Sequence, residues 1–123
     1  MKTTIKAFAL VAGTLFAGSA FSAQVVCDVY PKSNGHSWGN GTPNCAGFDF
    51  SFGSSTNGRF YLKDVTKEIK EVRWEGKANC SGGTSCNTTI RAYTSNTATA
   101  LILYKDGTWE RPKAASAFYE TGH

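Results

Sequence analysis

Residues 69–110 read IKEVRWEGKANCSGGTSCNTTIRAYTSNTATALILYKDGTWE, and the fold turns on how this stretch is read. Val72 and Trp74 alternate with Glu71, Arg73 and Glu75. A period of two places both apolar side chains on one face of a strand, predicted over Glu68 to Trp74 after a turn at Asp64 to Lys67. A helix over Asp64 to Glu75 is the rival reading, since Val65, Ile69 and Val72 would share one helical face. It leaves Trp74 off the apolar stripe, so the strand is preferred. Cys86 to Thr94 alternates again, with Thr88, Ile90 and Ala92 on one face and Thr89, Arg91 and Tyr93 on the other. Thr97 to Lys105 is apolar on both faces, the pattern of a strand at a sheet centre. Asp106-Gly107 tolerates the positive φ of a tight hairpin, and a two-residue turn is expected there, leading into Thr108 to Arg111.

Upstream, Phe48, Phe50 and Phe52 alternate with Asp49 and Ser51, and are expected to line the core. After a turn at SSTNG (54–58), Phe60 and Leu62 alternate with Arg59, Tyr61 and Lys63. The expected core is therefore Phe48, Phe50, Phe60, Leu62, Val72, Trp74, Ile90 and Leu101. Gln24 to Tyr30 (QVVCDVY) reads as an edge strand stopped by Pro31, followed by a long loop of turn-forming residues up to Cys45. Trp38, the one large apolar residue in that loop, is expected to pack back, because exposed tryptophan is uncommon. Beyond Pro112, Ala115 to Tyr119 supplies a last edge strand. The fold class is all-β, an antiparallel β-sandwich with two disulfides.

The first residues have a different character. Lys2 and Lys6 precede an uncharged apolar run, Ala7 to Ala17, which ends in small and polar residues. That is the pattern of a cleaved signal peptide, too short for a membrane span of about 20 residues. Residues 1–23 are assigned to the leader, with cleavage after Ala23 or, as second choice, after Ala20. Residues 24–123 form a single domain. A secreted or periplasmic location follows, with no membrane insertion after cleavage.

Without Lys2 and Lys6 the formal net charge of +4 falls to +2, and acidic and basic residues alternate in DVTKEIKEVRWE. Neither feature offers the clustered basic stripe of a nucleic-acid binder, so nucleic acid is excluded as a partner. All four cysteines lie behind the leader. An even count in an exported chain argues for two disulfides. Cys27 with Cys45 and Cys80 with Cys86 is the preferred pairing, because each pair brackets a Gly, Ser and Asn rich loop. Neither pair has zinc-knuckle spacing, so no metal is expected.

The strands VRWEG, TTIRAY and TATALILYKDGTW are similar to the second half of bacterial immunoglobulin-like domains of the polycystic-kidney-disease (PKD) type, and FDFSFGSSTNG to the strand and turn before it. The resemblance covers roughly Phe48 to Glu110. It departs from the family where Glu75-Gly76-Lys77 and the Cys80 to Cys86 loop replace a Gly-Asp-Gly element. It implies an exported β-sandwich used for binding, spacing or adhesion, with no catalytic residues to carry over.

Catalysis would need a nucleophile beside a base, a carboxylate pair or a metal. His36 and His123 are isolated, and the nine carboxylates are scattered without a paired motif. The expectation is a non-enzymatic protein without a cofactor, binding an unknown protein or polysaccharide. Trp38, Trp109, Tyr61 and Tyr93, with Tyr30, are the candidate binding residues; their aromatic rings could stack on sugars. A small secreted inhibitor presenting the NCSGGTSC loop (79–86) is a further alternative.

Overall fold

Side-chain alternation sorts this chain into two layers. The computed structural model describes residues 22–122, and among them there is no helix. The strands are β1 Gln24–Tyr30, β2 His36–Trp38, β3 Asn44–Phe48, β4 Ser55–Lys63, β5 Ile69–Gly76, β6 Ser85–Arg91, β7 Asn96–Tyr104, β8 Trp109–Glu110 and β9 Ala115–Glu120. One sheet has the order β1-β4-β6; the other runs β2-β3-β9-β7-β5, with β8 paired to β7. Every pairing is antiparallel except β3 with β9. The expected leader, apart from Ser22 and Ala23, and His123 lie outside the described residues.

The inward residues of the smaller sheet are Val25, Cys27 and Val29, Phe60, Cys86 and Ile90. They meet Val72, Trp74, Ala98, Ala100, Ala115, Ala117 and Tyr119 of the larger sheet. Alanines at four of these positions let the layers approach closely, and large side chains from the opposite layer fill the space. The fully buried Phe60 alone contributes about 1.5–3 kcal/mol. Trp74 is buried beside Val72, as its alternation predicts, and its indole N–H donates to the Gly83 carbonyl at 3.0 Å. That bond satisfies the one polar atom of the ring.

Both disulfides form as expected. Cys27–Cys45 ties β1 to β3, and so one layer to the other, with α-carbons 5.9 Å apart. Cys80–Cys86 closes the loop between β5 and β6 at 5.7 Å. Such cross-links indicate an oxidising environment.

Several expectations are corrected. Phe50 and Phe52 are exposed and Phe48 is only half-buried. β3 ends at Phe48, and the residue that turns inward is Asp49, whose carboxylate accepts from the Lys32 and Ser51 amides at 2.7 and 2.9 Å and from the Tyr119 hydroxyl at 2.6 Å. The phenylalanine alternation is thus a segment wrapped around a buried charge. Leu62 is half-buried, and so is Leu101, because β7 turns Ala98, Ala100, Ile102 and Tyr104 inward. SSTNG is mostly strand: β4 begins at Ser55, and Thr56 is buried with its hydroxyl on the Tyr30 carbonyl. Gly58 is there for close approach, since a Cβ would lie 2.5 Å from Ile90.

The hairpin between β7 and β8 has three loop residues, Lys105 to Gly107. Gly107 donates to the Tyr104 carbonyl and takes φ 89°, and Tyr104 N–H donates to Thr108. β9 is interior, between β3 and β7, because its small inward alanines fit beneath β1. Trp38 does not pack back. It lies on β2, a short strand within the expected loop, and is 57% exposed.

Candidate functional site

The register across the larger sheet aligns Trp38 with Ala46 and Ala46 with Phe118. Two strand spacings of about 4.8 Å separate Trp38 from Phe118 on the outer face, with a small side chain between them. The next row aligns His36 with Phe48 and Phe48 with Glu120. His36 and Trp38 have ring centroids 6.4 Å apart, and Phe48 meets Phe50 edge to face at 4.7 Å. A Cβ placed on Gly122 would lie 3.0 Å from Phe50 and 3.6 Å from Phe52, so these two rings flank the end of the chain after β9. Trp38, Phe50, Phe52 and Phe118 are all exposed, and together they make one end of this face aromatic.

The other candidates are dispersed. Trp109 pairs with Leu103 at the far end of the same face and is exposed. The step from the Phe118 row to the Trp109 row is about eight residues of β7, roughly 26 Å at a strand's rise. Tyr93 lies in the turn between β6 and β7 at φ 59°, its N–H on the Tyr119 carbonyl and its hydroxyl accepting from Thr121 N–H at 3.2 Å. Tyr61 is on the outer face of the smaller sheet. No single platform therefore holds all four. Phe118 and Phe50 were missed as surface aromatics. Phe118 was legible in ASAFYE, where it has the opposite parity to Ala117 and Tyr119.

The smaller sheet's outer face is polar and is organised by Asp28. This carboxylate is 6% exposed yet accepts four hydrogen bonds. Oδ1 takes the Gly41 amide at 2.9 Å and the Tyr61 hydroxyl at 3.2 Å; Oδ2 takes Arg59 Nε at 2.9 Å and the Tyr30 hydroxyl at 3.1 Å. The Arg59 guanidinium also stacks over Tyr61, 4.2 Å from its centroid. Burial, then the Asp28 carboxylate, raises the pKa of both Tyr30 and Tyr61, so both phenols stay protonated donors. Beside this cluster is a shallow trough of about 500 Å³ lined by Tyr30, Asn57, Gly58, Asn87, Thr88 and Thr89. Among the described residues, the side chains of Asn57, Asn87 and Thr89 have no hydrogen-bond partner in the protein. Neutral amides and a hydroxyl beside a fixed ring suit a hydroxyl-rich ligand.

Asp49 is the other buried carboxylate. Burial alone would raise its pKa, but the bonds from Tyr119, Lys32 and Ser51 outweigh burial and hold it well below the usual carboxylate range. Among the described residues, no three His, Cys, Asp or Glu side chains gather as a metal site. Comparison with protein families, curated proteins and solved structures finds no match to this chain.

Proposed function

We propose that this chain is an exported, non-catalytic immunoglobulin-like domain that binds another protein through the aromatic end of its larger sheet. Three features support the fold-level part of this reading. The strand orders β1-β4-β6 and β3-β9-β7-β5 follow the layering of an immunoglobulin-like sandwich, Trp74 occupies the strand where that fold buries a tryptophan, and a disulfide links the layers. The disulfide joins β1 to β3, which differs from its place in antibody domains. The PKD-type resemblance of Phe48 to Glu110 points the same way.

The observation that carries the function is the exposure of Trp38, Phe50 and Phe118 on one sheet end. Contiguous exposed apolar surface marks interaction sites, and tryptophan is enriched among residues that dominate binding energy. The test is a photo-crosslinking residue at position 38, with position 89 on the opposite face as control, in protein exported by its native host. One partner captured at position 38 and not at 89 supports the reading; equal capture at both overturns it.

A second reading is favoured by the trough beside Tyr30. There the ligand would be a neutral glycan, stacked on Tyr30 and hydrogen-bonded by Asn57 and Asn87. Retention on insoluble polysaccharide, abolished by Asn57→Ala with Asn87→Ala and kept by Trp38→Ala, would favour it over protein binding.

A further inference from the structure

Glu110 is a half-buried carboxylate with no cation paired to it among the described residues. It faces inward from β8 opposite Ile102, and the Tyr104 hydroxyl donates to its Oε1 at 2.5 Å. The five ion pairs among the described residues use Asp28, Asp106, Glu71, Glu68 and Glu75, never Glu110. Arg111 beside it is held by Glu75 at 3.0 Å. What approaches both oxygens of Glu110 is the backbone nitrogen of Ala23, at 3.4 Å from Oε1 and 3.2 Å from Oε2. One amide hydrogen shared between the two oxygens leaves the carboxylate's charge uncompensated; an ammonium at the same place, with three hydrogens, would bond both oxygens and supply the missing positive charge.

The sequence around that nitrogen offers a way to make one. Signal peptidases require small residues at the first and third positions before the cut. Cutting after Ser22 puts Ser22 and Ala20 there. Cutting after Ala23 puts Phe21 at the third position and discards a residue only 4% exposed, packed with Ile102 and Tyr104. Cutting after Ala20 leaves Phe21 and Ser22 in front, and the nitrogen of Ala23 remains an amide. Ser22 itself is exposed and has no place in the core.

We propose that the leader is cut between Ser22 and Ala23, and that the new α-ammonium of Ala23 pairs with Glu110. The cut is a hydrolysis by a signal peptidase. Water adds across the Ser22–Ala23 amide, its oxygen leaving on the Ser22 carboxylate with the leader. The Ala23 nitrogen is released as an amine, protonated at neutral pH because the usual α-amino pKa is about 7.7–8.0. The bond is cut while the chain is unfolded, before Ala23 is buried. Removal of the leader therefore supplies a charge that the folded domain has a seat for. The boundary expected from the sequence, 1–23, becomes 1–22.

The inference rests on the export reading and fails separately from it. The full chain is expressed with its leader in a bacterial host, and the exported protein is read by N-terminal sequencing and intact mass. Ala-Gln-Val-Val is the expected start. A start at Phe21 or Gln24 overturns the site while leaving export standing; an uncleaved leader in exported protein overturns both. The ion pair is tested by placing one glycine before Ala23, with Glu110 and with Glu110→Gln. With Glu110, the extra residue should lower Tm by about 4–8 °C, the shift expected from losing one good interaction in a domain of this size. With Glu110→Gln it should change Tm little. Equal shifts in the two backgrounds would overturn the pair, and if Glu110→Gln does not fold, an unchanged Tm on extending the Glu110 protein does the same.

Discussion

The two outer faces of this sandwich are each built on a buried aspartate, and the two aspartates are stabilised differently. Asp28 lies under the polar face and is held by a cation and two tyrosines, with Arg59 still 38% exposed. Asp49 lies behind the aromatic end and is 1% exposed, held only by neutral donors. The first carboxylate orients side chains that a ligand could touch. The second bends the backbone so that Phe50 and Phe52 are turned out to solvent. A charge of one sign thus lies under a hydrophilic face in one place and behind a hydrophobic one in the other: three of the four donors to Asp28 are side chains, Arg59 among them, whereas two of the three donors to Asp49 are main-chain amides and none carries a charge.

Both faces depend on the core between them, so the largest effect expected is that of Trp74→Ala. It should cost about 3–5 kcal/mol, as aromatic truncations in cores do, read by denaturant unfolding. A loss below about 1 kcal/mol would mean that the layers are not held by this ring, and the comparison of faces would fall with it.

Asp49→Ala comes next. It strands three donors, and with charged hydrogen bonds contributing about 1.5–3 kcal/mol each, a loss of about 3 kcal/mol or more is expected. Asp28→Ala should cost less, about 1–2 kcal/mol, because Arg59 and Tyr30 turn to solvent once released. If the order is reversed, the distinction between an architectural and a surface-organising aspartate is wrong.

Titration sharpens the same contrast. The pKa of Asp49 is lowered in the folded state, so its contribution to stability is complete above the unfolded carboxyl pKa, about 3.9. It is lost as pH falls through the lower folded value. Stability measured from pH 5 down to pH 2 should fall, and Asp49→Asn should flatten part of that fall. An identical slope in the variant would show that Asp49 is not held as described.

The smallest stability effect belongs to the aromatic end. Trp38→Ala with Phe118→Ala should change unfolding free energy by about 0.5 kcal/mol or less, as exposed substitutions do, while abolishing binding of the partner identified by capture. A large loss of stability would make these rings structural and remove them from the binding argument.

Much of the fold was legible because strand alternation is local. QVVCDVY, the strand carrying Val72 and Trp74, and the apolar run in Asn96–Tyr104 all lie where their patterns place them. The disulfides were legible too, since each pair, at sequence separations of 18 and 6, brackets a loop rich in turn-forming residues. Of the candidate binding residues, Trp38 and Trp109 do share a sheet face, but at opposite ends of it.

What the sequence by itself determined was most of the strands and which residues share a face within them; β2 lay in a stretch read as loop, and β3 ends at Phe48, where a strand was expected to begin. Which face points inward was decided only by tertiary structure. Phe48, Phe50 and Phe52 alternate as core residues would, yet Asp49 goes inside because its donors, Lys32 and Tyr119, arrive from 17 and 70 residues away. The interior place of β9 likewise depends on a parallel neighbour, β3, about 70 residues earlier in the chain. Trp38 remains in solvent because β2 pairs at the sheet edge, where no layer covers it. Alternation is a property of one segment, whereas the direction of burial is a free-energy difference between partners the segment meets only when the chain has folded.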